Sequence, residues 1–292
     1  MLPCAAAMDH LRALYRLVVV AILTIGSFAL LLLIAPLRGS WPARHLRLRN
    51  TVFRRWSHAM ARAMGMRVTV FGKPPTGAFF LVANHLSYMD IMLLGAQLDA
   101  AFVAKAQIRN WPVLGPGFAS ADTLFVDRGR RRDLVTVMAA IERSLGRGLG
   151  VVLFAEGTSG RGERVLPFKP SILELAVRAG RPVRYATLTY HTQQPAPPAD
   201  KAVCWWGEAP LGPHLWRLLR MRGFDATLRF GTDEVTASDR KSLALALHQA
   251  VSAQFEPVVE GRQPAAPSEA PGTAGTLDKG CQSVPRGQSR PR

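Results

Sequence analysis

From Arg67 onward the chain alternates short apolar runs with stretches of helical periodicity, and few architectures accommodate that texture. The runs read as strands are Val68–Phe71, Phe79–Ala83, Ala101–Ala104, Thr123–Val126, Gly150–Phe154, Val183–Leu188, Val203–Trp206 and Ala226–Phe230. Helical patterns fall between several of them, at Ile91–Leu98, Asp133–Leu145 and Ser171–Ala179, and a late one, Asp239–Phe255, follows Ser238. Strands interleaved with helices indicate an α/β domain, a central sheet flanked by helices. No internal repeat is visible.

The region before Arg67 has a different character. Leu17–Pro36 is twenty residues without a charge. At 1.5 Å per residue such a helix is about 30 Å long, the thickness of a bilayer core. Gly26, Ser27 and Pro36 also permit a bent helix held in one leaflet. A cleaved signal peptide is the competing reading, but the run is long for one and no A-x-A site follows it. Immediately afterwards, Arg38 to Lys73 carries nine Arg/Lys and no acid. Within it, Pro42 to Met64 sets Leu46, Phe53, Trp56, Met60 and Met64 at helical spacing among arginines. This predicts a basic amphipathic helix in the membrane interface, with Trp41 and Trp56 at headgroup depth. An ordinary helix packing that stripe on the core is the alternative, and the two are compatible.

The formal charge of +17 calls for an anionic partner. Its concentration beside an apolar span selects an anionic membrane surface, on the cytoplasmic side of an inner membrane, over nucleic acid. No nucleic-acid-binding signature is present to argue otherwise. The three cysteines, Cys4, Cys204 and Cys281, are far apart and without metal spacing, which fits a reducing compartment. The histidines are equally scattered, so neither metal nor cofactor is expected. The domain plan is therefore an anchor over 1–40, an interfacial helix over 41–66, an α/β domain over 67–260, and a Pro/Gly/Ala/Ser-rich tail over 261–292 too poor in apolar residues to order itself.

Chemistry concentrates first in Asn84-His85-Leu86-Ser87-Tyr88-Met89-Asp90, directly after an apolar run. A carboxylate on one ring nitrogen fixes a histidine's tautomer and leaves the other nitrogen free to take a proton. Asp90 can reach His85 if a loop turns into the first turn of a helix. Such a pair suits deprotonation of an alcohol attacking an acyl carbonyl. Read in isolation, the pattern equally fits a strand-end histidine and a helix cap.

Three later segments follow in order: Lys105 leading to Phe125-Val126-Asp127-Arg128; Phe154-Ala155-Glu156-Gly157-Thr158 with Leu166-Pro167-Phe168-Lys169; and Pro182-Val183-Arg184-Tyr185-Ala186. Together with the first, they resemble the blocks of the glycerolipid acyltransferase family typified by bacterial lysophosphatidic acid acyltransferases, over about residues 40–255. The resemblance implies transfer of an acyl group from acyl carrier protein or coenzyme A to a lysolipid hydroxyl. It makes His85 the general base, Asp90 its orienter, Arg128 a contact to the acceptor's anionic head, Glu156, Gly157 and Thr158 acceptor-binding, and Lys105 electrostatic support for phosphates. Ala155 and Tyr185 stand where the family usually has prolines that shape backbone. The run from Glu156 to Lys169, with Trp205-Trp206-Gly207, also resembles the lyso-ornithine lipid branch. Lyso-ornithine lipid and 1-acyl-glycerol-3-phosphate both remain open as acceptors. A decayed, membrane-anchored lipid-binding protein is the non-enzymatic alternative.

Overall fold

A computed structural model of the chain describes residues 2–110, 114–126, 131–178 and 180–259. Its centre is a seven-stranded sheet of β1 (Met66–Phe71), β2 (Phe80–Ala83), β3 (Ala100–Lys105), β4 (Leu124–Val126), β5 (Gly150–Phe154), β6 (Val183–His191) and β7 (Phe224–Phe230). The spatial order is β1-β7-β6-β2-β5-β3-β4. Strands β6, β2, β5, β3 and β4 run one way, paired in parallel. β7 lies antiparallel to β6 and parallel to β1. The helices are α1 (Leu2–Ile34), α2 (Leu37–Ser40), α3 (Pro42–Ala63), α4 (Met89–Gly95), α5 (Leu114–Ser120), α6 (Arg131–Gly146), α7 (Pro170–Arg178), α8 (Ala199–Ala202), α9 (Leu211–Arg220) and α10 (Arg240–Gln254).

Every residue of β2 is buried, because helices cover both faces of a parallel sheet. Side-chain alternation splits the core in two. Leu81 and Ala83 of β2 join Val152 and Leu188 with Trp56 and Met60 of α3, Leu93 of α4 and Leu219 of α9. Phe80 and Val82 join Leu153 with Ile141 of α6, Leu173 of α7 and Leu247 of α10. Asp239 caps α10, accepting from the amides of Lys241 and Ser242, a placement that sequence alone suggests for an acid before an apolar-periodic stretch.

One expected strand is absent. Val203–Trp206 forms no ladder: the amides of Val203 and Cys204 return to the Ala199 carbonyl, and that of Trp205 donates to the Leu86 carbonyl. Val203 and Cys204 are buried, so the segment is apolar because it plugs the core after α8. Trp56 also differs from expectation. It is 4% exposed, its indole N–H donating to Thr24 Oγ1 of α1 at 3.3 Å. The stripe on α3 therefore faces α1 and the sheet, while Trp41, 58% exposed, remains outside with Arg44 against its ring.

α1 lies along the domain. Its Arg12 and Arg16 donate to backbone carbonyls at the end of α9, and Ala13 is fully buried. Further along, the Phe28 ring rests on Gly117 of α5 so closely that a β-carbon there would sit 1.8 Å from it. Only glycine permits that approach. The opposite side of α1 exposes Met8, Leu11, Tyr15, Val18, Ile22, Ile25 and Leu32. The expected tail over 261–292 lies outside the described residues.

Candidate active site

The register Ala83↔Phe154 and Ala83↔Ala186 brings the carboxyl ends of β2, β5 and β6 level. Ligands of open α/β sheets bind at this edge. His85 leaves the end of β2, Glu156 the end of β5, and exposed Lys105 is the last residue of β3. Arg128 follows β4 in sequence but lies outside the described residues, as does Asp127.

The chain after β2 turns into α4, and Asp90 sits in that helix's first turn. His85 Nδ1 and Asp90 Oδ2 are 2.7 Å apart. The same oxygen accepts the amides of Leu86 at 2.7 Å and Ser87 at 3.1 Å. Oδ1 accepts the Tyr190 hydroxyl at 2.6 Å. Asp90 is fully buried, whereas the His85 side chain is 22% exposed. An ionised carboxylate only accepts, so the imidazole carries its proton on Nδ1 and leaves Nε2 as the ring position able to take another. The ring stacks on Phe154, centroids 4.2 Å apart at 20°, which restrains its plane.

The backbone of His85 is clamped from the third block. Its amide donates to Glu156 Oε1 at 3.2 Å, and its carbonyl accepts from the Gly160 amide at 2.8 Å. Gly157, at φ +74°, supplies the left-handed turn between these two contacts, a conformation glycine adopts without penalty. Thr158 is exposed beside it. Glu156 is 2% exposed, and its Oε2 has no hydrogen-bond partner of ordinary geometry among the described residues. Burial, reinforced by the charge of Asp90, pushes the Glu156 carboxyl up to about 8, against the weaker pull of the His85 and Leu166 amides. It is therefore largely protonated at neutral pH. Ala155 is fully buried, and its carbonyl takes the Lys169 amide at 2.8 Å, so the turn closes without a proline.

On the far side of the loop, the Tyr88 hydroxyl bonds His214 Nδ1 at 3.1 Å while His214 Nε2 faces the Cys204 carbonyl at 3.0 Å. His214 thus carries its proton on Nε2, and burial lowers its basicity. Arg161 is held by Asp200 at 3.1 Å and Glu163 at 2.8 Å, with its guanidinium over the Trp206 ring. Among the described residues no group of three or more His, Cys, Asp or Glu is arranged to hold a metal ion. Asn84, Phe154 and Gly160 lie within the motif segments but receive no role from the sequence, and Tyr190 is not singled out at all. Asn84 at least opens the motif, but nothing in the sequence marks Tyr190, a hundred residues from Asp90.

A family profile described as Acyltransferase matches residues 67–186, which contain His85, Asp90 and Glu156. A lyso-ornithine lipid O-acyltransferase of Brucella abortus is 36% identical over 235 residues, covering 75% of this chain and 88% of that protein. The chain belongs to the acyltransferase family. A second acyltransferase, the 1-acyl-sn-glycerol-3-phosphate acyltransferase of Neisseria gonorrhoeae, is 30% identical over 181 residues, covering 61% of this chain and 69% of the relative. The crystal structure of the 1-acyl-sn-glycerophosphate (LPA) acyltransferase PlsC from Thermotoga maritima superposes with a TM-score of 0.61 over 85% of this chain and 96% of that one. At 20% identity it speaks to the fold. This acyltransferase accordingly pairs the family's α/β domain with an apolar N-terminal helix long enough to cross a membrane.

Proposed function

We propose that this acyltransferase moves a fatty acyl group from an acyl carrier protein or coenzyme A thioester to the hydroxyl of a lysolipid, with His85 as general base. The observation that carries the reading is the 2.7 Å contact between His85 Nδ1 and a fully buried Asp90, beside a partly exposed ring at the sheet's carboxyl edge. In the proposed step His85 Nε2 takes the acceptor's hydroxyl proton as its oxygen attacks the thioester carbonyl. The tetrahedral intermediate then expels the thiolate, which recovers the proton from His85. No acyl-enzyme is required. Buried Asp90 stabilises the imidazolium that forms between the two transfers. Glu156, Gly157 and Gly160 hold the His85 loop, and Arg128 and Lys105 supply positive charge for phosphate or carboxylate groups. The intact pair argues against a decayed lipid-binding protein.

Lyso-ornithine lipid is the favoured acceptor. The relative named for that lipid is the more similar of the two and is covered over more of its length. The membrane reading rests on the apolar face of α1. Because α1 is tied to α9 near one end and packs on α5 towards the other, we place it lengthwise in the interface of the cytoplasmic leaflet. Exposed Trp41 and Arg38 sit at headgroup depth. The test is purified protein with labelled acyl thioester, offered lyso-ornithine lipid and 1-acyl-glycerol-3-phosphate side by side. Labelled diacyl product from the first at the higher kcat/KM is expected; transfer to neither acceptor refutes the proposal.

A further inference from the structure

Strand β6 outlasts its neighbour. The β2 ladder ends with Ala83 opposite Ala186, yet β6 continues to His191. Residues two and four beyond Ala186 point to the same face, and there they meet the catalytic loop. Asn84 turns its side-chain amide onto Leu188, donating to its carbonyl at 2.9 Å and accepting its amide at 2.8 Å. A side chain thereby continues the ladder that the β2 backbone has left. Two residues further, the Tyr190 hydroxyl meets Asp90 Oδ1 at 2.6 Å. Tyr190 is fully buried, with its ring edge-on to Phe224 at 5.8 Å, so the hydroxyl has little freedom to move.

The two oxygens of Asp90 are unequally served. Oδ2 is shared by His85 and the Leu86 and Ser87 amides, while Oδ1 has the Tyr190 hydroxyl. We propose that Tyr190 is a positioning residue of the reaction: its hydroxyl fixes the rotation of the Asp90 carboxylate and draws charge from it, keeping His85 neutral and ready to accept a proton. This rests on the reading of His85 as general base. The donor role is secure because burial, then the Asp90 charge, raises the Tyr190 hydroxyl well above its usual range, so it keeps its proton. The other titratable groups facing Asp90 are Glu156 beyond β5 and Cys204 beyond α8, and both are buried. Tyr88 is turned to His214.

The sign follows from the hydrogen bond. Without the Tyr190 donor the Asp90 carboxylate holds more charge for His85, the imidazolium gains, and the acid limb of the pH–kcat/KM profile moves to higher pH. The experiment compares full-length wild type with Tyr190→Phe and with 3-fluorotyrosine incorporated at 190. For Tyr190→Phe the expected result is a roughly tenfold loss of kcat, as for a lost hydrogen bond to a charged group. Both KM values should stay within about twofold, and the acid limb should rise by roughly half to one pH unit. Fluorination acidifies the hydroxyl and strengthens its donation, so it should move the limb the opposite way. If Tyr190→Phe does not fold, the fluorinated enzyme alone carries the test. An unmoved limb in the folded variants, or a shift in the same direction for both, overturns the proposal. His85→Ala separates the two readings: retained turnover there refutes the general base, whereas a dead His85→Ala with an unmoved limb refutes only Tyr190.

Discussion

Glu156→Gln is expected to stabilise this protein at neutral and alkaline pH while sparing its activity. The native carboxyl titrates at about 8 against 4.5 for the ordinary group. Between those values the folded chain keeps a proton that the unfolded chain releases. A raised carboxyl therefore contributes most to stability below about pH 4.5, and the contribution is lost as pH rises through about 8. At about 1.4 kcal/mol per pH unit, integration from about pH 5 to about pH 8 gives a loss of roughly 3 kcal/mol. The side chain is 2% exposed, so solvent does little to screen it. Glutamine keeps an acceptor for the His85 amide and has no proton to lose. Urea unfolding in detergent micelles across that pH range is the assay. The difference between Glu156→Gln and wild type should grow in favour of the variant by roughly that amount, with turnover at neutral pH within about threefold. Glu156→Ala, which deprives the His85 amide of its acceptor, should lose activity at every pH. Parallel stability curves for Glu156→Gln and wild type would refute the reasoning, because they would mean that the carboxylate is ionised in place without cost.

His85→Ala should abolish acyl transfer, and Asp90→Asn should lower kcat by about 10²–10⁴-fold, both checked with labelled thioester; wild-type turnover in purified His85→Ala would end the general-base mechanism. Arg128→Ala should raise the acceptor KM by roughly one to two decades with little change in donor KM, and Arg128→Lys should recover only part, since an ammonium lacks the planar fork; equal, small losses in Arg128→Ala and Arg131→Ala would remove Arg128 from the site. Replacing Ile22 and Ile25, 65% and 61% exposed on α1, with Asp should weaken sedimentation with anionic vesicles at least about tenfold and leave the urea midpoint unchanged. Unaltered vesicle binding would mean that this face meets something other than lipid.

Local rules carried the sequence reading a long way. The runs that became β2 and β5 were legible because a strand buried on both faces has no polar alternation to confuse it. His85 and Asp90 were legible because five residues of chain bring them together without help from the rest of the fold. What failed was whatever depended on distant partners. Val203–Trp206 has a strand's composition, but its amides bond to a helix end and to the catalytic loop, and no local signal distinguishes a plug from a strand. Trp56 has the character of an interfacial anchor, but Thr24, thirty-two positions earlier, accepts its indole hydrogen bond inside the fold. Tyr190 was invisible because its link to Asp90 depends on how far β6 overruns β2, a register that only the assembled sheet defines.

The guanidinium of Arg16 reaches the carbonyls of Met64, Leu219, Met221 and Arg222. These partners are made long after Arg16 itself, three of them more than two hundred residues later. During synthesis the apolar helix therefore emerges and meets lipid while its polar fasteners do not yet exist. A cation near the start of such a helix prefers the headgroup layer, so the helix waits at the surface with its basic end in reach of water. Closure comes only when α9 and the Met221–Arg222 segment after it have been synthesised and can offer their carbonyls. The basic end of the earliest segment to be made is thus secured late, and a chain truncated before Leu219 should leave the ribosome with that end of α1 unfastened.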